Sequence, residues 1–89
     1  MEVNVLKEEK DNIELEIKGE DHTFCNILRS ELWNLEDTNF AAYAIKHPLM
    51  SSPIFTLHVK KGKPRKVLND AVDSLRSEAK GFKSALKSL

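Results

Sequence analysis

The chain has one cysteine, one tryptophan, one tyrosine, three glycines and three prolines in 89 residues, and no excess of charge of either sign. A lone cysteine, Cys25, excludes an internal disulfide. No stretch approaches the roughly 20 consecutive apolar residues that a bilayer-spanning helix needs. Fourteen Lys and Arg against fourteen Asp and Glu leave no global field that would draw the protein to nucleic acid or to an anionic membrane. The opening MEVNVLKEEK lacks the basic and then apolar pattern of a signal peptide, so a reducing cytoplasm is the expected location.

Apolar residues make up 40% of the sequence and charged residues 31%, inside the range of folded soluble proteins. A domain of this size buries only about two thirds of the surface its unfolded chain exposes, so the core of the chain is thin. Neither repeats, low-complexity tracts nor long linkers interrupt it, and residues 1–89 are expected to form a single domain.

Val3 and Val5 alternate with polar neighbours, as do Ile13, Leu15 and Ile17, which is the period of strands with one buried face. The EEKDN stretch between them reads as a hairpin turn. After Gly19 the spacing changes to three and four, through Phe24, Ile27, Leu28, Leu32 and Leu35, which predicts a helix with Asp21 or Thr23 at its first turn. Phe40–Ile45 reads as a largely buried strand, followed by a loop with Pro48, Ser51, Ser52 and Pro53. Ile54–Lys60 alternates again and stops at Gly62. The predicted order is ββαββα, an α+β fold of two layers in which two helices cover a four-stranded sheet.

The last segment carries the strongest pattern. Leu68, Val72, Leu75, Ala79, Phe82, Leu86 and Leu89 are spaced 4, 3, 4, 3, 4, 3, an a/d heptad seam, and Pro64 suits a first helical turn. A helix from Pro64 to Leu89 spans roughly 39 Å at about 1.5 Å per residue, against a radius of gyration near 12 Å for a domain of this length. Its far end is expected to outrun the domain and to meet a partner, while its first turns cover the chain's own sheet. Burying all seven side chains contributes on the order of 10 kcal/mol at most.

Chemistry-bearing residues form no catalytic or metal set. His22 and Cys25 are three apart, but the paired short spacings of a zinc site are missing, and Asp21 beside His22 has no nucleophile with it. His22 suits a bracing role and Cys25 that of a small buried thiol. The run KKGKPRK, residues 60–66, is a local basic patch without the spacing of a phosphate-binding loop. A solvated turn is one reading of it; a small nucleic-acid-binding module using these cations is the alternative functional reading, and it requires binding that weakens steeply with salt. Trp33 lies outside the main stripe of the first helix, where either partial burial or an interface suits it.

GEDHTFCNILRSEL, residues 19–32, resembles the signature of archaeal RNA polymerase subunit L and its eukaryotic counterparts, and is similar to the first-helix motif of the bacterial alpha subunit. FAAYAIKHPL, residues 40–49, resembles the second hallmark of that family. Cys25 departs from the glycine or alanine usual at its position, and is still small. The resemblance implies an alpha-like dimerisation domain with no cofactor, metal, small-molecule substrate or catalytic residue of its own, as a structural component of a nucleotidyltransferase. It implies a heterodimer with the D subunit of the polymerase, the larger chain of related fold. Contact with other polymerase subunits follows, the pair serving as an assembly platform, with DNA reached only through the assembled enzyme. The partner interface it implies consists of His22, Thr23, Asn26, Leu28 and Arg29 on the first helix, with Phe82, Leu86 and Leu89 on the last.

Overall fold

The computed structural model of the chain describes residues 2–19, 22–45 and 52–88. Six elements follow in the expected order: β1 (Glu2–Glu8), β2 (Asn12–Lys18), α1 (His22–Trp33), β3 (Thr38–Ala44), β4 (Ile54–Val59) and α2 (Pro64–Lys87). The strands form one antiparallel sheet in the order β1-β2-β4-β3, with both helices on one face. The fold is the expected α+β sheet covered by two helices.

The β1–β2 hairpin is tighter than expected. Only residues 9–11 separate the strands, and the Glu9 N–H donates to the Asn12 carbonyl at 2.8 Å. The register slips between Val5, opposite Leu15, and Lys7, opposite Glu14, so Leu6 is the extra residue of a bulge. Ile13, Leu15 and Ile17 of β2 are buried with Phe55, Leu57 and Val59 of β4, and the helices close over them with Cys25, Leu28, Leu32, Val67 and Ala71.

Four expectations about burial are corrected. Val3 and Val5 share the face of Ile17 and Leu15, yet both stay about half exposed, because the helices lie over β2, β4 and β3 and leave β1 largely uncovered. Phe40–Ile45 is not a largely buried strand. It belongs to β3, the other edge of the sheet, where only Thr38 and Ala41 are buried and Phe40 is exposed. On α1 the buried line is Cys25, Leu28 and Leu32, with Phe24 and Leu35 at its margin and Ile27 outside. On α2 the residues that meet the core are Pro64, Val67 and Ala71, one position before the heptad seam. Leu68 and Val72 sit at the border of the core, so the seam runs along the flank of the helix and not beneath it.

Gly62, at a φ of 81°, turns the chain from β4 into α2, a left-handed conformation that L side chains rarely adopt. Pro64 then opens α2 without leaving an unpaired N–H. The 24 residues of α2 extend roughly 36 Å. From Arg76 to Ser88 every residue is exposed. The projecting end raises the radius of gyration to 14.3 Å, above the roughly 12 Å of a compact chain of this length.

Candidate functional site

Two surfaces collect the residues singled out in the sequence. The first is the outer flank of α2 and the groove beside it. Val3 and Val5 from β1 and Leu68 and Asn69 from α2 line a concavity of roughly 200 Å³ floored by Ile13 and Leu15. Leu68 begins the heptad seam, and the later seam positions continue on the same side of the helix to Phe82 and Leu86, which are 69% and 53% exposed. In water this is an uncompensated apolar line, flanked by Lys80, Lys83 and Lys87. Leu89 lies outside the described residues.

The second surface is the N-terminal part of α1 where it meets β3. The Tyr43 hydroxyl lies 3.0 Å from His22 Nδ1, and the rings meet edge-on at 5.6 Å. Arg29 donates to Asn26 Oδ1 at 2.9 Å and its guanidinium stands 5.7 Å from the centre of the Tyr43 ring. The helical repeat brings residues 22, 26 and 29 to one side, and β3 supplies the tyrosine around which they gather. Thr23 is exposed beside them, whereas Leu28 is buried against the chain's own sheet. Leu28 therefore acts on any partner only by seating α1. Tyr43, Val3 and Val5 were missed in the sequence as members of these surfaces. The FAAY run held Tyr43 in view, but only the β3–α1 packing reveals its role.

His22 braces β3, and Cys25 is fully buried. Among the described residues there is no group of three or more His, Cys, Asp or Glu side chains placed to hold a metal ion. Asp21, His47, Pro48 and Leu49 lie outside the described residues. Trp33 is half exposed, and its indole N–H donates to the Ala41 carbonyl at 2.9 Å, so it wraps the β3 edge. No described helix is long and apolar enough to cross a membrane.

The basic connection is partly neutralised by the chain itself. Arg65 binds both Glu8 oxygens, at 2.6 and 2.8 Å, and Lys66 pairs with Asp70 at 3.1 Å. The hydrogen bonds from Arg65 hold the Glu8 carboxyl below its ordinary pKa, and Glu8 in turn raises that of Arg65. Two of the five cations of residues 60–66 thus face carboxylates already, which weakens the case for a nucleic-acid site here.

Residues 12–85 match the family model described as the RNA polymerase Rpb3/Rpb11 dimerisation domain. The chain belongs to this family. It is 36% identical to the DNA-directed RNA polymerase subunit Rpo11 of Methanothermobacter thermautotrophicus over 98% of this chain and 100% of the relative. The Rpo11 of Thermococcus onnurineus is also 36% identical, over 98% and 95% of the two chains. Among solved structures, DNA-directed RNA polymerase subunit L from Thermoplasma acidophilum superimposes with a TM-score of 0.89 at 28% identity, covering 98% of this chain and 86% of that one. The fold is thus that of the Rpb3/Rpb11 dimerisation family, long C-terminal helix included. An apolar seam beyond the domain's own core is the kind of surface that a dimerisation domain buries against its partner.

Proposed function

We propose that the chain is subunit L of a DNA-directed RNA polymerase, a non-catalytic component that pairs with the larger alpha-like chain, the D subunit, to form the platform on which the large catalytic subunits assemble. Residues 1–89 act as one alpha-like dimerisation domain in the cytoplasm, and DNA is reached only through the assembled enzyme. The observation that carries this reading is the second half of α2, where Phe82 and Leu86 continue a heptad seam into solvent. A free helix end gains nothing from that spacing, whereas a partner that covers it gains about 1.5–3 kcal/mol for each large apolar side chain fully buried. The interface comprises that seam with Leu89, the β1 groove, and the His22, Thr23, Asn26 and Arg29 side of α1.

The test is the light-scattering mass of the purified chain, alone and co-purified with the larger alpha-like chain. The expected result is a stable one-to-one complex, with the lone chain self-associating through α2. A stable monomer that ignores the larger chain refutes the proposal.

A further inference from the structure

The face of the sheet turned away from both helices carries three cross-strand rows. Asn12, His58 and Phe40 form one; Glu14, Thr56 and Ala42 the second; Glu16, Ile54 and Ala44 the third. Alanines at 42 and 44 leave a hollow of roughly 310 Å³ lined by Glu14, Phe40, Ala42, Ala44, Ile54 and Thr56. An aromatic chain extends it to the sheet edge. Phe40 meets His58 edge-on at 5.8 Å and Trp33 at 6.2 Å, and both Phe40 and Trp33 are about half exposed. An apolar strip with two exposed aromatics is the composition of a protein-binding patch.

The charges on this face select the occupant. Glu16 lies 3.9 Å from Lys18 and accepts from Asn4 at 3.2 Å. Glu14, half-buried at the rim of the hollow, has no hydrogen bond or ion pair among the described residues. Lys7 lies opposite it in register and feels its charge, but the ammonium is held mainly by Glu9, at 2.9 Å. A carboxylate beside an apolar hollow is complementary to a cation on an aliphatic stem. The same carboxylates repel phosphates, which disfavours stacked nucleic acid despite the aromatics.

We propose that the open face of the sheet is a second docking surface, taking a protein segment that sets a lysine or arginine on Glu14 and apolar side chains on Phe40, Ala42 and Ile54. This face and the α2 seam lie on opposite sides of the sheet, so the domain binds two proteins at once. The inference rests on the polymerase reading only in that the polymerase supplies the second protein.

The experiment uses the heterodimer with the larger alpha-like chain and the remaining purified polymerase subunits. Backbone amide exchange is followed over residues 38–44 and 54–59, and incorporation is measured for Ala42→Asp, Glu14→Lys and the shape-conserving Glu14→Gln. The expected result is slower exchange in both strands on assembly. Ala42→Asp should keep parental melting, whereas Glu14→Lys, which sets a cation opposite Lys7, should melt slightly lower. Both should keep one-to-one pairing with the larger chain, yet enter the assembly with at least about tenfold weaker affinity, as for loss of a charge-assisted contact, and Glu14→Gln should fall between them and the parent. Unchanged exchange together with parental incorporation of all three variants overturns the proposal, as does protection by a single-stranded RNA oligonucleotide in place of protein. If the parent fails to pair with the larger chain, the dimer reading alone falls. Exchange is then read on the chain mixed directly with the other subunits, where protection of 38–44 supports the proposal and its absence overturns it.

Discussion

Phe82→Ala separates what a side chain does within the chain from what it does for a partner. In the monomer Phe82 is 69% exposed, in the stretch 76–88 where every described residue is exposed. Its removal should leave monomer stability within roughly 0.5 kcal/mol of the parent, and alanine's better helix propensity offsets part of any loss. In the heterodimer the exposed two thirds of the ring are to be buried. Full burial of a phenylalanine is worth about 1.5–3 kcal/mol, so about 1–2 kcal/mol remains to be gained, and the hollow left in the partner adds to the cost of truncation. The expected loss is roughly 2 kcal/mol, or about 30-fold in Kd. Thermal melting of the lone chain and calorimetric titration with the larger alpha-like chain measure the two quantities. A parental Kd refutes the assignment of Phe82 to the interface, and a melting temperature lowered by more than about 5 °C refutes the claim that the helix end carries no intrachain packing.

Leu32→Ala should act in the opposite sense. Leu32 is fully buried between α1 and the sheet, its truncation should cost about 2–5 kcal/mol, and a melting temperature less than about 5 °C below the parent's would show that the core is not organised as described. Gly81→Ala should stabilise the lone chain by about 0.5–1 kcal/mol, since nothing lies within 4 Å of the added methyl; denaturant melts that coincide with the parent's would argue that this stretch of α2 is not helical. The Glu8–Arg65 pair gives a pH signature. Arg65 lowers the folded-state pKa of Glu8, so the pair favours folding above the carboxyl's ordinary pKa, and this is lost as pH falls through the lowered value. In Arg65→Gln the Glu8 carboxyl, followed by NMR, should titrate higher; an unmoved titration contradicts the contact.

The order ββαββα, the switch from period 2 to period 3.6 after Gly19, and the over-long last helix were all legible in the sequence, because each depends on local spacing. The alternation of Ile13, Leu15 and Ile17 sufficed to place β2's buried face, and residues 19–32 and 40–49 sufficed for the family resemblance. Local spacing also required the last heptads of α2 to point somewhere. The a/d spacing continues through those heptads, which is the pattern of a helix that meets a partner.

Pairing and layer order were decided by the tertiary structure. The chain returns β4 beside β2, which makes β1 and β3 the edges and exposes Val3, Val5 and Phe40 in strands whose patterns look like those of buried ones. The sheet takes the 64, 67 and 71 side of α2, so the leucine seam is turned to the flank although a seam and a core stripe read almost alike in one dimension. Tyr43 finds His22 and Arg29 only across the α1–β3 contact, and Glu14 meets Phe40 and Ala42 around one hollow only across three strands. Sequence spacing fixes which residues share a face of one element, since that follows from backbone geometry alone; which faces meet, and which are left for another protein, depends on packing between elements distant in the chain.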